Sequence, residues 1–238
     1  MSEALRSEGL DSRFRAYCER YSLDPTTVEV AGVPLVIHPR VYRAEGASTT
    51  ATLLEAIGEP HGATVLDMGC GTGVLGVIAA LRGAERVVLA DMSPDAVTNA
   101  RANVALHGLE ERCEVVESDL FERLGNQCFD LVIFNMPFLD GDGVIEFPVS
   151  ESQQAAMPRP ESFTDPGYRM IRRFMARLDA HMSESGRCLC SFASFGNHEA
   201  LDSILEANAL TRRTAARRAE PEYGLEYLAY ELRRLGED

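Results

Sequence analysis

The sequence predicts an α/β fold in which a doubly wound, mostly parallel seven-stranded sheet carries helices on both faces. Apolar, strand-like runs alternate with helix-like runs from Thr64 to the end of the chain. Such alternation is typical of parallel sheets whose strands are joined by crossover helices. A glycine-rich turn follows the first run, and ligands of such sheets bind at the carboxyl ends of the strands.

A small helix-plus-hairpin extension is predicted over residues 1–45, followed by the main domain over residues 46–238. Residues 1–24 carry apolar side chains at helical spacing, and Pro25 ends that pattern. Alternating apolar residues from Val28 to Ile37 flank Gly32, which predicts a hairpin. A helix over Thr49 to Ile57 would then lead into the main domain.

The pattern locates six of the seven strands of the main domain and four of its helices. The strands are predicted at Thr64–Met68, Arg86–Asp91, Glu114–Val116, Phe129–Phe134, Arg187–Ala193 and Leu225–Leu232, and the helices at Val74–Leu81, Ser93–Gly108, Asp165–Met182 and Asn197–Asn208. Ser93 is expected to cap its helix, with Pro94 at the first position. A long irregular loop is predicted over Leu139 to Thr164.

The charge balance is strongly acidic, with a formal net charge of −14, and all 23 basic residues are arginine. An acidic surface opposes contact with a phosphate backbone, since such affinity comes from cations that release counterions. We therefore expect a small-molecule substrate, neutral or cationic, and a nucleic-acid partner is disfavoured. A homodimer stays compatible with the sequence.

Composition also bears on compartment and metal content. No apolar run reaches the roughly 18 residues of a membrane span, and Met1 to Leu10 lacks an apolar signal core. The prediction is a cytoplasmic protein without membrane association. The six cysteines are expected to be reduced thiols, and no Cys or His spacing indicates a metal site.

The first predicted strand runs directly into a turn with three alternating glycines, Asp67-Met68-Gly69-Cys70-Gly71-Thr72-Gly73. Glycines let a backbone approach a ligand without a Cβ in the way, and the next helix directs its amide end at that ligand. This turn resembles the first motif of class I, Rossmann-like methyltransferases. The resemblance implies that Asp67, Gly69, Cys70, Gly71 and Gly73 bind S-adenosylmethionine. The same glycines also fit the G-x-G-x-x-G dinucleotide fingerprint, so a nicotinamide-dependent oxidoreductase stays open.

Two further strand ends favour methyl transfer. Asp91 ends the second strand and can accept hydrogen bonds from both ribose hydroxyls, while Met92 can lie on the adenine face. Ser118, Asp119 and Leu120 follow the third strand, and the resemblance implies that the acid binds the adenine amino group. The alternative for Asp119 is a turn-forming acid.

The fourth strand ends in Asn135-Met136-Pro137-Phe138, which resembles the N-P-P-Y motif of methyltransferases that act on adenine, glutamine and related planar nitrogens. The Asn135 carbonyl is expected to accept a hydrogen bond from the acceptor N–H and to turn the nitrogen lone pair toward the methyl group. Pro137 would stiffen the loop, and Phe138 would stack on a planar substrate. Met136 replaces the usual proline, which leaves the substrate class open.

The resemblance covers about Arg40 to Ala193 and is to the release-factor glutamine methyltransferase group, of which the chain looks like a divergent relative. In that group, the segment that matches Pro39 to Thr50 closes over the cofactor. We expect Tyr42 and Glu45 in this segment to contact the substrate. The N-terminal extension is shorter than the helical substrate domain of those enzymes, which argues against a release factor as substrate.

The irregular loop is expected to set specificity, because long loops in compact domains are usually functional. It carries five acids and a single cation, Arg159. Asp140 or Glu146, near Asn135, is expected to pair with a guanidinium or ammonium group.

These observations lead to one main hypothesis and two alternatives. The main hypothesis is an S-adenosylmethionine-dependent N-methyltransferase acting on a planar guanidino, amide or amino nitrogen of a small, arginine-like metabolite. The first alternative is methylation of a protein glutamine or an RNA base. The second is a nicotinamide-dependent oxidoreductase or an inactive binding module.

Overall fold

The computed structural model describes residues 16–140, 150–221 and 224–236. The strands are β1 (Thr26–Val30), β2 (Val33–Ile37), β3 (Thr64–Met68), β4 (Arg86–Asp91), β5 (Cys113–Glu117), β6 (Phe129–Phe134), β7 (Met182–Ala193), β8 (Leu210–Glu220) and β9 (Leu225–Arg234). The helices are α1 (Ser48–Ile57), α2 (Val74–Leu81), α3 (Pro94–Leu106), α4 (Glu151–Ala156), α5 (Arg169–Leu178) and α6 (His198–Ala207). Short 3-10 turns cover Pro160–Ser162, Pro166–Tyr168 and Asp179–His181.

Seven strands form one sheet in the order β5-β4-β3-β6-β7-β9-β8. The strands from β5 to β7 are parallel, whereas β9 runs antiparallel to both of its neighbours. Strand order reverses between β3 and β6, so a crevice opens beside their carboxyl ends. The predicted doubly wound, mostly parallel seven-stranded sheet is confirmed.

Apolar cores on both faces of the sheet hold the helices in place. Helix α5 shows the pattern clearly, because Ile171, Phe174, Met175 and Leu178 form its buried stripe while its arginines point outward. On the opposite face, α1 and α2 pack with Leu53, Ile57 and the apolar residues of α2. In the part of the chain that the structure describes, none of the helices is long and apolar enough to cross a membrane.

The predicted hairpin is β1 and β2, and two buried asparagines of α3 attach it to the sheet domain. Asn103 Oδ1 accepts the Val36 N–H at 2.8 Å, and its Nδ2 donates to the carbonyls of Val36 and Thr72. Asn99 accepts the His38 N–H and donates to Val36 O. Both asparagines are fully buried. They therefore pair with backbone groups of β2 and connect the hairpin to the glycine turn. The boundary between the N-terminal extension and the main domain at residue 45 stays a prediction.

Two local predictions need correction: the helix over residues 1–24 and the side-chain cap by Ser93. The predicted helix over residues 1–24 lies mostly outside the described residues, and within them only 16–18 are helical. The chain turns there because the Tyr17 hydroxyl donates to Arg43 O and the Tyr21 hydroxyl accepts the Arg43 N–H. Ser93 stands at the N-cap of α3, but its side chain makes no capping bond. Asp91 Oδ1 accepts the Ser93 N–H instead.

Within the loop predicted over Leu139 to Thr164, the described residues contain helix α4. Ser150 and Gln153 form a reciprocal capping box at the start of α4, which gives that short helix a defined N-terminus. The helix predicted over 165–182 is α5 flanked by 3-10 turns, because Gly167 and Tyr168 adopt positive φ angles of 66° and 52°.

Strand β8 is the seventh strand, which the sequence pattern did not locate. Its TRRTAARRAE segment has few apolar residues, so it lacks the alternation that identified the other strands. The strand forms because it pairs with β9 along its whole length and lies at the edge of the sheet. An edge strand can carry long charged side chains that reach water.

We predict that Asn103→Ala destabilises the protein by about 2–3 kcal/mol, since it removes three hydrogen bonds and leaves buried backbone groups unpaired. Urea unfolding followed by circular dichroism measures the change. Asn126→Ala is the matched control, because Asn126 is exposed and should stay within about 0.5 kcal/mol of the parent protein. Equal stability of the two variants would contradict the anchoring role of Asn103.

Candidate active site at the strand ends

A cavity of about 810 Å³ opens at the carboxyl ends of β3, β4 and β6. This volume lies in the upper part of the roughly 300–1,000 Å³ range of small-molecule sites. The cavity brings together these predicted site residues: Tyr42, Asp67, Gly69, Cys70, Gly71, Asp91, Met92, Ser118, Asp119, Leu120, Asn135, Pro137 and Phe138.

The glycine turn after β3 forms the floor of the cavity. Asp67 is buried at the end of β3, and its Oδ2 accepts the Gly76 N–H at 2.8 Å, which fixes α2 to the strand. Burial raises the pKa of Asp67 to about 7, although the Gly76 hydrogen bond opposes this shift. Gly73 does not line the cavity; a Cβ added there would lie 3.0 Å from Leu89 Cδ2. Gly73 therefore allows close packing of the turn against β4 and α3.

Asp91 at the end of β4 holds the same turn from the other side. Its Oδ2 accepts the Gly71 N–H at 2.9 Å, and its Oδ1 accepts the Ser93 N–H at 2.9 Å. Burial raises its pKa, and the hydrogen bonds from Ser93 and Gly71 oppose that shift. Each carboxylate oxygen keeps a further lone pair for a hydroxyl group.

The turn after β5 forms the next part of the wall. The Ser118 hydroxyl donates to Leu120 O at 2.7 Å and accepts the Arg123 N–H, which holds Leu120 at a positive φ of 49°. Asp119 faces the cavity and pairs with Arg173 of α5 at 2.9 Å. Ser118 thus shapes this turn through its own hydrogen bonds.

These residues fit S-adenosylmethionine on structural grounds. Gly71 has a φ of 54°, and a Cβ built on it would meet no atom within 4 Å, so the turn faces open space. Asp91 offers carboxylate lone pairs at the strand tip, and the neighbouring Met92 presents an apolar side chain that is 52% exposed. A diol and a planar base are the groups that this pair of side chains would bind.

Asn135, directly after β6, lies in the cavity wall beside this floor. The Ser191 hydroxyl of β7 donates to Asn135 Oδ1 at 2.7 Å. Ser191 is fully buried, so its hydrogen bond is protected from water. The carbonyl oxygen keeps a second lone pair for another donor. Sequence reasoning missed Ser191, since one serine inside an apolar strand forms no pattern.

The rest of the tetrapeptide is tied to the opposite loop by a buried tyrosine. The Tyr168 hydroxyl donates to Phe138 O at 3.0 Å and accepts the Asn197 N–H at 3.0 Å. Met136 is buried in the core and also contacts the cavity. Pro137 lines the cavity between them. The position usually filled by proline is therefore a packing position in this chain.

Aromatic rings form the outer wall of the cavity. The Phe138 ring lies 5.7 Å from Phe195, which in turn lies 6.2 Å from Tyr227. A second pair of rings, Tyr42 and Phe163, are 5.8 Å apart. All five rings line the cavity. Such a wall suits a planar group, an aliphatic stem or a cation that lies over a ring face.

Besides Gly73, the predicted site residues Glu45 and Asp140 do not line the cavity. Glu45 is turned away and forms an ion pair with Arg43 at 2.6 Å. Asp140 Oδ1 accepts the Gly167 N–H at 2.8 Å, which ties the end of the tetrapeptide loop to the start of α5. Glu146 lies outside the described residues. Glu45 and Asp140 form local contacts because a guanidinium group and a backbone N–H, respectively, lie within hydrogen-bond distance of their carboxylates.

Charged residues that were not among the predicted site residues also line the cavity. Arg159 and Glu161 lie in its wall, as does Arg40, which pairs with Asp95 at 2.7 Å. Among the residues that the structure describes, no three His, Cys, Asp or Glu side chains come together as a metal site.

Comparison with known proteins shows the family. The family described as methyltransferase small domain matches residues 33–156, just over half of the chain. A candidate protein N5-glutamine methyltransferase from Methanocaldococcus jannaschii is 30% identical over 161 residues, which cover 67% of this chain and 75% of that protein.

Two further relatives match over a shorter stretch. The ribosomal protein uL3 glutamine methyltransferase of Bradyrhizobium diazoefficiens is 33% identical over 136 residues, 53% of this chain and 39% of that protein. The ribosomal RNA small subunit methyltransferase C of Shigella flexneri is 38% identical over 123 residues, 51% of this chain and 33% of that protein. The chain therefore spans well under half the length of these two relatives.

A solved structure supports the same fold. The Thermus thermophilus 16S rRNA N2 G1207 methyltransferase, in complex with AdoMet and guanosine, has a TM-score of 0.62 at 19% identity, covering 89% of this chain and 50% of that chain. The glycine turn, the two strand-end carboxylates and the matched family together identify the chain: it belongs to the methyltransferase small domain family and is a class I methyltransferase that uses S-adenosylmethionine.

Proposed function

We propose that this enzyme methylates the side-chain amide nitrogen of a glutamine in a protein. The observation that carries the proposal is the Asn135 carboxamide, which lies in the cavity wall at the tip of β6 with its oxygen held by Ser191. The similarity to protein glutamine methyltransferases from two organisms supports the same acceptor.

A primary amide needs help to act as a nucleophile, because its nitrogen lone pair is delocalised into the carbonyl. Bound S-adenosylmethionine supplies an electrophilic methyl group. Asn135 Oδ1 accepts one amide N–H, which turns the nitrogen toward that methyl and stabilises the positive charge that grows on nitrogen. The methylated nitrogen then loses its proton to water, so no side-chain base is required in the transfer step.

The aromatic wall fits the rest of a glutamine side chain. Phe138 lies next to Asn135 and packs against Phe192 and Phe195, which gives the acceptor a rigid apolar surface. A methylene stem loses water against such rings. Because glutamine is neutral, it needs no carboxylate partner, so the positions of Glu45 and Asp140 outside the cavity do not oppose this acceptor.

The expectation that a nucleic-acid partner is disfavoured is wrong. A relative that is 38% identical is a ribosomal RNA methyltransferase, and others act on ribosomal proteins. Net charge sums over the whole surface, whereas affinity for a polyanion depends on where the cations lie. The preference for a small metabolite was drawn from the same charge, and the relatives favour a macromolecular acceptor.

An RNA base is the second candidate acceptor. The pairs Phe138–Phe195 and Tyr42–Phe163, which both line the cavity, offer ring faces on which a flipped purine could stack. An exocyclic amino group presents the same planar nitrogen to Asn135 as an amide does. The similarity to the ribosomal RNA enzyme favours this candidate over other nucleic acids.

The acceptor assay separates the two candidates. Ribosomes and soluble proteins from a bacterial extract are incubated with the enzyme and tritiated S-adenosylmethionine, then divided by protease and by ribonuclease. We expect label in protein and N5-methylglutamine after enzymatic digestion to amino acids. Label released only by ribonuclease would replace glutamine with an RNA base as the acceptor.

Substitution of Asn135 tests the central role of its carboxamide. Asn135→Ala should lower turnover by about 100-fold or more, the usual effect of removing one preorganised polar contact to the transition state. S-adenosylhomocysteine affinity, measured by calorimetry, should stay within a few-fold of the parent. Asn126→Ala serves as the control and should keep full activity. Full turnover in Asn135→Ala would contradict the proposed role.

Ser191 is predicted to act as a positioning residue. Ser191→Ala removes the hydrogen bond that orients the Asn135 amide, so kcat should fall about 10-fold while the KM for S-adenosylmethionine stays unchanged. Ser191→Thr keeps the hydroxyl and should recover most of the activity. Ser203→Ala, an exposed serine on α6, is the control. A loss confined to thermal stability, with kcat preserved, would show that Ser191 has only a packing role.

A further inference from the structure

Arginines concentrate at one end of the sheet, although the net charge of the whole chain is negative. Strands β7, β8 and β9 together contain seven arginines, four glutamates and no aspartate or lysine. Two of these arginines, Arg212 and Arg234, pair with aspartates of neighbouring segments, Asp202 and Asp179, which leaves a small excess of positive charge. The whole chain has a formal net charge of −14. The β8 end of the sheet is therefore a basic surface on an acidic protein.

A buried carboxylate holds three of these arginines in place. Glu231 of β9 is 2% exposed and pairs with Arg187 at 2.8 Å, Arg213 at 2.9 Å and Arg233 at 2.7 Å. Burial alone would raise the Glu231 pKa, but the hydrogen bonds from Arg233 and Arg213 and the charge of Arg187 keep it low. One guanidinium would neutralise Glu231, so this cluster carries a surplus of positive charge.

The surplus continues along the exposed edge of β8. Arg213, Arg217 and Arg218 are all exposed, and Arg217 has only a long 3.8 Å contact with Glu226. Arg218 has no ion-pair partner among the residues that the structure describes. At the usual rise of a strand, the segment from Arg213 to Arg218 extends about 16 Å. The register places Arg213 and Arg218 on one face of the sheet and Arg217 on the other, so the edge is basic on both faces. Its far end is close to the cavity, because Arg218 pairs in register with Tyr227 of the cavity wall.

We propose that the edge strand β8 is a docking surface for the phosphate backbone of RNA. Its exposed side chains are arginine, threonine and a small alanine, and none of the large exposed apolar residues of the described chain lies on it. Guanidinium forks and threonine hydroxyls are typical phosphate contacts. Arginine clusters also bind acidic peptide motifs, but the similarity to a ribosomal RNA methyltransferase favours RNA as the occupant. The surface lies outside the cavity and holds RNA whichever acceptor is methylated.

Binding of a fluorescein-labelled RNA stem-loop, measured by anisotropy over a salt series with the full chain, tests this docking surface. The triple variant Arg213→Gln/Arg217→Gln/Arg218→Gln should bind at least about 10-fold more weakly at low salt. The slope of log affinity against log salt should fall by about two to three, near 0.9 for each lost phosphate contact. S-adenosylhomocysteine affinity should be unchanged in the same variant.

The control removes equal charge elsewhere: Arg86→Gln/Arg101→Gln/Arg123→Gln changes three exposed arginines away from β8 and should bind RNA as the parent does. Thr214→Glu adds a negative charge to exposed β8 without removing a guanidinium, and it should also weaken binding. Equal losses in both triple variants, no measurable RNA binding by the parent, or tighter binding of poly-glutamate than RNA would each overturn the proposal. None of these outcomes involves methyl transfer, so they leave the glutamine assignment to its own assay.

Discussion

The whole site depends on one constraint: the backbone turn after β3 must stay open toward the cavity while it is held from both sides. Asp67 holds it through Gly76, and Asp91 holds it through Gly71 and Ser93. Both carboxylates come from the ends of adjacent parallel strands, so their separation is set by the sheet. This arrangement lets glycines present bare backbone to the cofactor without the turn collapsing.

The part of the cavity around Asn135 is also held by hydrogen bonds between neighbouring strands, but here the groups are neutral. Asn135 follows β6, and the hydroxyl that holds it comes from β7, the next strand of the sheet. Buried hydrogen bonds of this kind fix an amide more strongly than exposed ones, since water cannot compete. Tyr168 then connects the tetrapeptide to the loop after β7. The floor and the wall of the cavity are thus both built on neighbouring strands of one sheet.

Elements that carry a regular sequence pattern could be predicted, and elements without one could not. The parallel strands, the glycine turn, Asp91 and Asn135 were predictable because apolar runs and fixed spacing mark them. Strand β8 was not, because its arginines interrupt the apolar alternation, and the carboxylates that hold two of them, Asp202 and Glu231, are not adjacent in sequence. Ser191 was not predictable either, because its role depends on its contact with Asn135, which the sequence does not reveal. Glu45 and Asp140 were expected in the cavity, but Glu45 pairs with Arg43 and Asp140 accepts the Gly167 N–H instead.

The central claim is that the acceptor nitrogen lies between the cofactor sulfur and the Asn135 carboxamide. A crystal structure with S-adenosylhomocysteine and a glutamine-containing peptide tests it most directly. We expect the glutamine nitrogen within hydrogen-bond distance of Asn135 Oδ1, about 2.7–3.2 Å, and on the side that faces the sulfur. A glutamine bound with Asn135 directed away from it, or a cofactor whose sulfur lies far from Asn135, would contradict the account.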